Sequence, residues 1–292
     1  MKNVMMLLLL LSLAGLSQTG TRYLAIASWN IENLDGERKQ DPDQLARHLA
    51  LTGAQVIALQ EIHHTGPGMS NPRLERALAQ LDGDWDYRLF PNKPPNEKAR
   101  LCGVAWNNKA VTPVGESFRI PIADDPNDDF PIWHRHPHAT KFQSATSGKT
   151  DFILISIHQK SNGRPRGKDE FFTRRQRALE GRTLMEALPT VQKHFGDEKD
   201  VIIVGDTNCL DVAEPSLASY RGGGLRDLNL LDHNTHLKGS APFDRFFVSQ
   251  DQPEFAHSYQ MVLSPTDRRS HEERVSDHYV ILTQMELMDD DD

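Results

Sequence analysis

Five residues of this chain share one placement. Asn30, Glu61, His158, Asp206 and His278 each stand at one end of a short apolar, β-rich run. The set combines carboxylates, imidazoles and an amide. Carboxylate oxygens suit a hard divalent cation such as Mg²⁺, and an imidazole gains or loses a proton near neutral pH. Taken singly, each has a structural explanation: Asn30 could stop a strand, Glu61 cap a helix, His158 fill a core. Five in one kind of position outweigh those readings, because groups at strand ends converge on one rim of a sheet, a common place for active sites in α/β proteins.

The elements that must position them are visible as hydrophobic patterns. Residues 23–29 read as a strand that runs into Asn30, and 55–59 as a short apolar strand that ends at Gln60 and Glu61. Between them Asp41-Pro-Asp-Gln opens a helix carrying Leu45 and Leu49, with Pro42 tolerated in the first turn. A second helix is expected over 72–81, and strands over 85–90, 101–106 and 138–144. The second half follows the same alternation, with a strand over 151–157, a long helix from about 169 to 188, a strand over 201–204, and later strands over 243–249 and 278–282.

Six short motifs occur in order: Ser28-Trp-Asn-Ile-Glu-Asn33, Leu59-Gln-Glu-Ile62, His158-Gln-Lys-Ser161, Gly205-Asp-Thr-Asn208, Phe243-Asp-Arg-Phe246 and Ser276-Asp-His278. As an ordered set over residues 28–278 they resemble the motifs of the endonuclease/exonuclease/phosphatase superfamily, which includes deoxyribonuclease I. The resemblance implies a single α/β domain. Its architecture would be a four-layer sandwich, two mixed β-sheets packed face to face with helices outside. Thr207 stands where the family pattern has Phe, and Gln159 where it has Leu. The Asn-Gly-Leu-Arg run of the apurinic endonucleases is missing after the first motif, which speaks against a repair enzyme of that kind.

The chemistry implied is metal-assisted hydrolysis of a phosphodiester by in-line attack of water. Such a site must neutralise the phosphate, position the water and stabilise the departing alkoxide. The resemblance gives Glu61 and Asp277 as metal ligands, with Asn30 and Glu32 completing a polar nest. Mg²⁺ is the expected cofactor and Mn²⁺ the alternative. Asp206 would orient or deprotonate the water, Asn208 would bind a phosphate oxygen, and His158 and His278 would face the phosphate. Asp244 would fix the tautomer of His278, and a carboxylate is expected behind His158. Arg100, Arg164, Arg166 and Lys168 are candidates for further phosphate contacts; the last three lie in a loop that could equally be solvated.

Other features carry less. Three alternating histidines in Trp133-His-Arg-His-Pro-His138 suggest a metal site, but Pro137 breaks a regular strand and a substrate-lining loop is the better reading. The acidic run 124–129 lacks the glycine and closing glutamate of an EF-hand loop and reads as surface. Cys102 and Cys209 could pair or sit apart. Residues 1–20 read as a secretory leader, with Lys2, an apolar stretch too short for a membrane span, and small residues after it. The expected protein is therefore exported, secreted or periplasmic, a monomer without a stable membrane anchor, with its catalytic domain over 21–288 and an acidic tail over 289–292. A net charge of −8 argues against a passive nucleic-acid binder. It leaves room for an enzyme that meets phosphate with metal ions. A nuclease acting on DNA, or on RNA, is the leading expectation; a phosphodiesterase or phosphatase on lipid or inositol phosphates, sphingomyelinase-like, is the alternative.

Overall fold

The computed structural model describes residues 23–36, 40–94, 96–124, 130–145, 150–239 and 241–289. The expected leader, most of the acidic run 124–129 and tail positions 290–292 lie outside them. The first half comprises β1 (Tyr23–Leu34), α1 (Pro42–Ala50), β2 (Val56–Ile62), α2 (Pro72–Leu78), β3 (Trp85–Phe90) and β4 (Leu101–Asn107). Next come β5 (Val111–Pro113), β6 (Phe118–Arg119), β7 (His138–Ser144), β8 (Asp151–His158), α3 (Phe172–His194) and β9 (Val201–Asp206). The chain closes with α4 (Pro215–Gly222), β10 (Leu225–Asp227), β11 (Asp244–Ser249), β12 (Met261–Leu263), α5 (Arg268–Arg274) and β13 (Val280–Glu286). No helix among the described residues is long and apolar enough to cross a membrane.

Two mixed sheets result, ordered β12-β13-β1-β2-β4-β3 and β10-β11-β9-β8-β7-β5, with β6 paired to β7. Each is built on one parallel pair joined by a helical crossover, β1 with β2 and β8 with β9. The strands flanking each pair run antiparallel to it. Alternation along the strands sorts the apolar side chains into two faces. Leu24, Ile26, Val56, Phe152, Leu154, Ile202 and Phe246 fill the space between the sheets. Ala27 and Trp29 turn the other way, onto Leu45 and Leu49 of α1 and Leu74 of α2. Ile153, Ile155 and Ile203 meet Leu184 and Val191 of α3 and Leu217 of α4. The expected four-layer α/β sandwich is the fold observed.

Local chemistry explains the helix ends. The Asp41 carboxylate accepts from the Asp43 amide at 3.0 Å and caps α1, while Pro42 needs no amide partner there. The long helix outruns its expected end near residue 188, continuing through Pro189 to His194. A proline removes one helical hydrogen bond. The loss is outweighed because Val191, in the next turn, is buried against the second sheet.

The two cysteines do not pair. Both are buried and free, Cys102 between the sheets and Cys209 in the core beneath α3 and α4.

Candidate active site

Along the face between the sheets, the strands change character toward one rim. On β1, Leu24 and Ile26 give way to Ser28 and Asn30; on β8, Phe152 and Leu154 give way to Ser156 and His158. On β9, Ile202 and Val204 lead to Asp206. The antiparallel strand β11 begins at this rim, so its first residue, Asp244, lies in register with Asp206, as does His158 from the other side. Parallel strands thus end, and antiparallel strands begin, at one polar edge. Beneath it Gln60 donates to Ser156 Oγ at 3.0 Å and to Ser28 Oγ at 3.2 Å, which ties the two sheets together.

One oxygen organises the rim. Asp206 Oδ2 lies 2.9 Å from Asn30 Nδ2, 3.4 Å from His158 Nε2 and 3.7 Å from His278 Nε2. Its partner Oδ1 accepts from the Asn208 amide at 2.8 Å, and Asn208 Nδ2 donates to the Gln159 carbonyl at 3.2 Å. His278 Nδ1 meets Asp244 Oδ2 at 2.8 Å, the pairing expected. His158 differs from expectation: its Nδ1 is buried with no hydrogen-bond partner among the described residues. Its Nε2 faces Asp206 and, at 3.7 Å, Glu61 Oε1.

Electrostatics follow from burial and neighbours. Burial pushes the Asp206 carboxyl up, and Asp244 and Glu61 add to the rise. Burial alone would hold His278 neutral, yet Asp244 and Asp206 outweigh it and keep the ring protonated well above the usual histidine range. Burial drives His158 well below that range, reinforced by Arg135. The two imidazoles therefore offer different hydrogen-bonding states to one point.

Glu61 and Asn208 occupy the left-handed region, at φ 60 and 53, and Glu32 lies at φ 35. Asparagine tolerates this; glutamate does so only under constraint, at a cost of roughly 1–3 kcal/mol. At Glu61 the constraint is a bulge, where register shifts between Leu59 and Ile62 against β4. Its Oε2 accepts from the Asn33 amide at 3.0 Å. Glu32 Oε2 accepts from the Asp277 amide at 3.0 Å, which brings its carboxylate to the loop that carries that expected ligand. The hard oxygens at the rim belong to Glu61, Glu32, Asp277 and Asn30, whose Oδ1 also accepts from the Glu32 amide at 3.0 Å. Glu61, whose charge adds to the burial-driven rise of Asp206, and Asp277 offer the hard oxygens that a divalent cation takes.

The cationic candidates separate. Arg100, at φ 50 and exposed, is near enough to depress His158. Arg164 and Arg166 are exposed in the loop after β8. Lys168 is drawn to the rings of Phe130 and Phe172, at 6.0 and 5.0 Å. The loop itself is anchored beside the site by Asn162 Nδ2, which donates to the Asn208 carbonyl at 3.0 Å. Arg135 is the cation absent from the expected list. Its Nη2 donates to the Gln159 carbonyl at 2.7 Å, and it is the strongest charged influence on His158. The signal for it is the loop 133–138, whose substrate-lining reading does not single out the arginine. The histidines there hold no joint site: His136 Nε2 meets the Ile120 carbonyl at 2.7 Å, and burial holds His136 and His138 at about 4.

The family departures have local reasons. Thr207 Oγ1 donates to the Phe243 carbonyl at 2.7 Å, binding the end of β9 to the segment that presents Asp244. Gln159 Nε2 donates to Ser216 Oγ at 2.8 Å while its carbonyl serves Arg135 and Asn208.

Behind the site, Glu180 of α3 accepts from the Lys160 amide at 2.8 Å, and burial pushes its carboxyl from 4.5 to about 8. Unfolding between those values releases a proton, so this residue makes stability fall as pH rises from about 4.5 to about 8. Glu180→Gln, whose amide oxygen still accepts from Lys160, should flatten that slope. Denaturant unfolding at pH 5 and pH 8 measures it; parallel curves for the two proteins would refute the assignment.

No family model matches the chain, and no curated protein matches it. Solved structures do. An endonuclease/exonuclease/phosphatase family protein from Bacteroides thetaiotaomicron superposes with TM-score 0.67 at 17% identity, covering 91% of this chain and 95% of that one. A mannosyl-6-phosphatase from the same organism gives 0.62 at 15% identity, over 89% and 98%. D. rerio TDP2 complexed with a single-strand DNA product gives 0.55 at 18% identity, over 90% and 98%. The chain therefore has the endonuclease/exonuclease/phosphatase fold, the fold of the superfamily its ordered motifs resemble.

Proposed function

We propose that this protein is a hydrolase of phosphoesters that acts with a divalent cation, and that its substrate is a polynucleotide, DNA or RNA. The observation that carries the reading is the rim itself, where Asp206 Oδ2 faces the Asn30 amide and the Nε2 atoms of both histidines within 3.7 Å. A cation held by Glu61, Asn30 and Asp277 would supply Lewis-acid neutralisation of the phosphate. Mg²⁺ suits these oxygens, and Mn²⁺ can replace it.

The chain's own groups divide the remaining tasks. Asp206 orients the attacking water and takes its proton, held in place by Asn30 and the Asn208 amide. Protonated His278, fixed by Asp244, donates to a phosphate oxygen, where charge grows as the water attacks. His158 and the Asn208 side chain hold a second oxygen. Arg100 and Arg135 flank the cleft and meet the neighbouring phosphates of a polymer. The DNA product named for the TDP2 structure supports a polynucleotide, and the sugar phosphatase among the neighbours supports the alternative. Export is supported by the leader-like residues 1–20.

Protein spanning 21–292 should nick plasmid DNA with Mg²⁺, stop when EDTA removes the ion, and recover when Mg²⁺ or Mn²⁺ is restored. RNA, sphingomyelin and inositol phosphates belong in the same metal-controlled assay. Release of phosphocholine from sphingomyelin with no cleavage of DNA or RNA would replace the polynucleotide reading by the lipid one. Nicking that survives chelation would remove the cation from the mechanism.

A further inference from the structure

One histidine at the rim has no part in the proposed chemistry. His236 lies in the loop before β11 and forms an isolated antiparallel bridge with His278. Its ring packs against His278, centroids 4.7 Å apart, and against Phe243 at 5.1 Å. Its side chain is only 12% exposed. The backbone fixes its tautomer: Nδ1 is hydrogen-bonded to the Lys238 carbonyl, which can only accept, so the proton sits on Nδ1. The lone pair of Nε2 then points at Asp277 Oδ2, 3.4 Å away. The nitrogen and the carboxylate oxygen can share a positive centre, a second proton on the ring or a metal ion, and Lys238 Nζ lies 3.7 Å from the same oxygen.

We infer that His236 Nε2 and Asp277 Oδ2 form a second cation position at this rim, selective for an imidazole-binding divalent ion such as Co²⁺ or Zn²⁺ over Mg²⁺. Three observations support it. Bonds of about 2.0–2.2 Å to a nitrogen and an oxygen 3.4 Å apart subtend an angle of roughly 110°, close to tetrahedral. A ligating histidine characteristically gives its other N–H to a backbone carbonyl, the arrangement His236 has with Lys238. The third is the grouping itself, in which one side-chain atom each of His236, Asp277 and His278 lies within 4.8 Å of the others. Since Asp244 engages His278 for the phosphate, the remaining positions fall to water or a substrate oxygen. Asp277 divides its oxygens, Oδ1 lying 3.9 Å from His278 Nε2 while Oδ2 faces His236. Lys238 Nζ, 3.7 Å from Oδ2 and on a side chain 56% exposed, can swing away when an ion enters. The ligand chemistry sets the selectivity, because Mg²⁺ takes oxygen donors whereas imidazole favours the later ions.

The inference rests on the cation-dependent reading above, and its test separates the two. Metal-free protein is titrated with Co²⁺ and followed by visible absorption and by the number of ions bound. Wild type should bind two ions per chain and His236→Gln one, with loss of the band from the nitrogen-ligated ion. Equal stoichiometry and spectra in the two proteins would overturn the second position while leaving a single-cation mechanism intact. If Co²⁺ binds neither protein, both readings fall. Should the variant not fold, wild-type crystals soaked in Co²⁺ give an independent answer by anomalous scattering. A peak between Nε2 and Oδ2 is expected; a peak only beside Glu61 and Asn30 overturns the inference.

Discussion

Asp206→Asn should lower the rate of phosphodiester hydrolysis roughly 1,000-fold, within the range lost with a positioned general base. The reason is geometric. One carboxylate oxygen faces an amide donor and two imidazoles, and the other is fixed by the Asn208 amide. An asparagine keeps the size and an acceptor for that amide but cannot take a proton from water. Stability should change little, because the substitution removes a buried carboxylate that Asp244 and Glu61 already push upward. Single-turnover cleavage with saturating metal, beside a thermal unfolding curve, checks both halves. Cleavage within tenfold of wild type would remove Asp206 from the proton transfer.

Arg245→Met should cost about 3–5 kcal/mol of folding stability, the size expected when one partner of a buried ion pair is removed. Arg245 is fully buried. Its Nη1 donates to Asp227 Oδ2 at 3.0 Å and to the Asn229 carbonyl at 2.8 Å, and its Nη2 pairs with Asp232. Asp227 is also fully buried, and burial already raises its pKa. Without the arginine, Arg221 at 3.6 Å is the one cation among the described residues left to balance it. Adding Asp227→Leu should recover part of the loss, because an apolar pair needs no charge compensation. Urea unfolding of the wild type, the single and the double variant reads this directly. A single variant within about 1 kcal/mol of wild type would show that the cluster is not a stability element. Activity should fall with stability here, since Arg245 follows Asp244 and anchors the segment that presents it to His278.

Much of this was legible in the sequence because it depends on short-range pattern. Alternating apolar residues marked β1, β8 and β9, and their polar terminators marked the rim. The cap at Asp41 and the leucine spacing marked α1. Strands of two or three residues, β5, β6, β10 and β12, are too short to show a period and take their form from the neighbour they pair with. The helix end expected near residue 188 falls short for a related reason: Pro189 carries a local penalty, but burial of Val191 overrides it. Glu32 shows the limit for side chains, since its motif gives a carboxylate near the metal ligands while its bond to the Asp277 amide, across 245 residues, is a product of the fold.

The sequence alone determined which chemical groups this protein brings to one sheet edge, because side-chain direction along a strand has a period of two and is set locally. It also determined their order, and through it the resemblance to one superfamily. Tertiary structure decided which atoms meet. Asn30 reaches Asp206 across 176 residues and His278 reaches Asp244 across 34, distances closed only by sheet pairing and packing between sheets. It also decided that Cys102 and Cys209 stay in separate cores, that Arg135 rather than Lys168 acts electrostatically on His158, and that His236 turns Nε2 toward Asp277. Those outcomes depend on loop paths and on competition for buried hydrogen-bond partners, which no local pattern records.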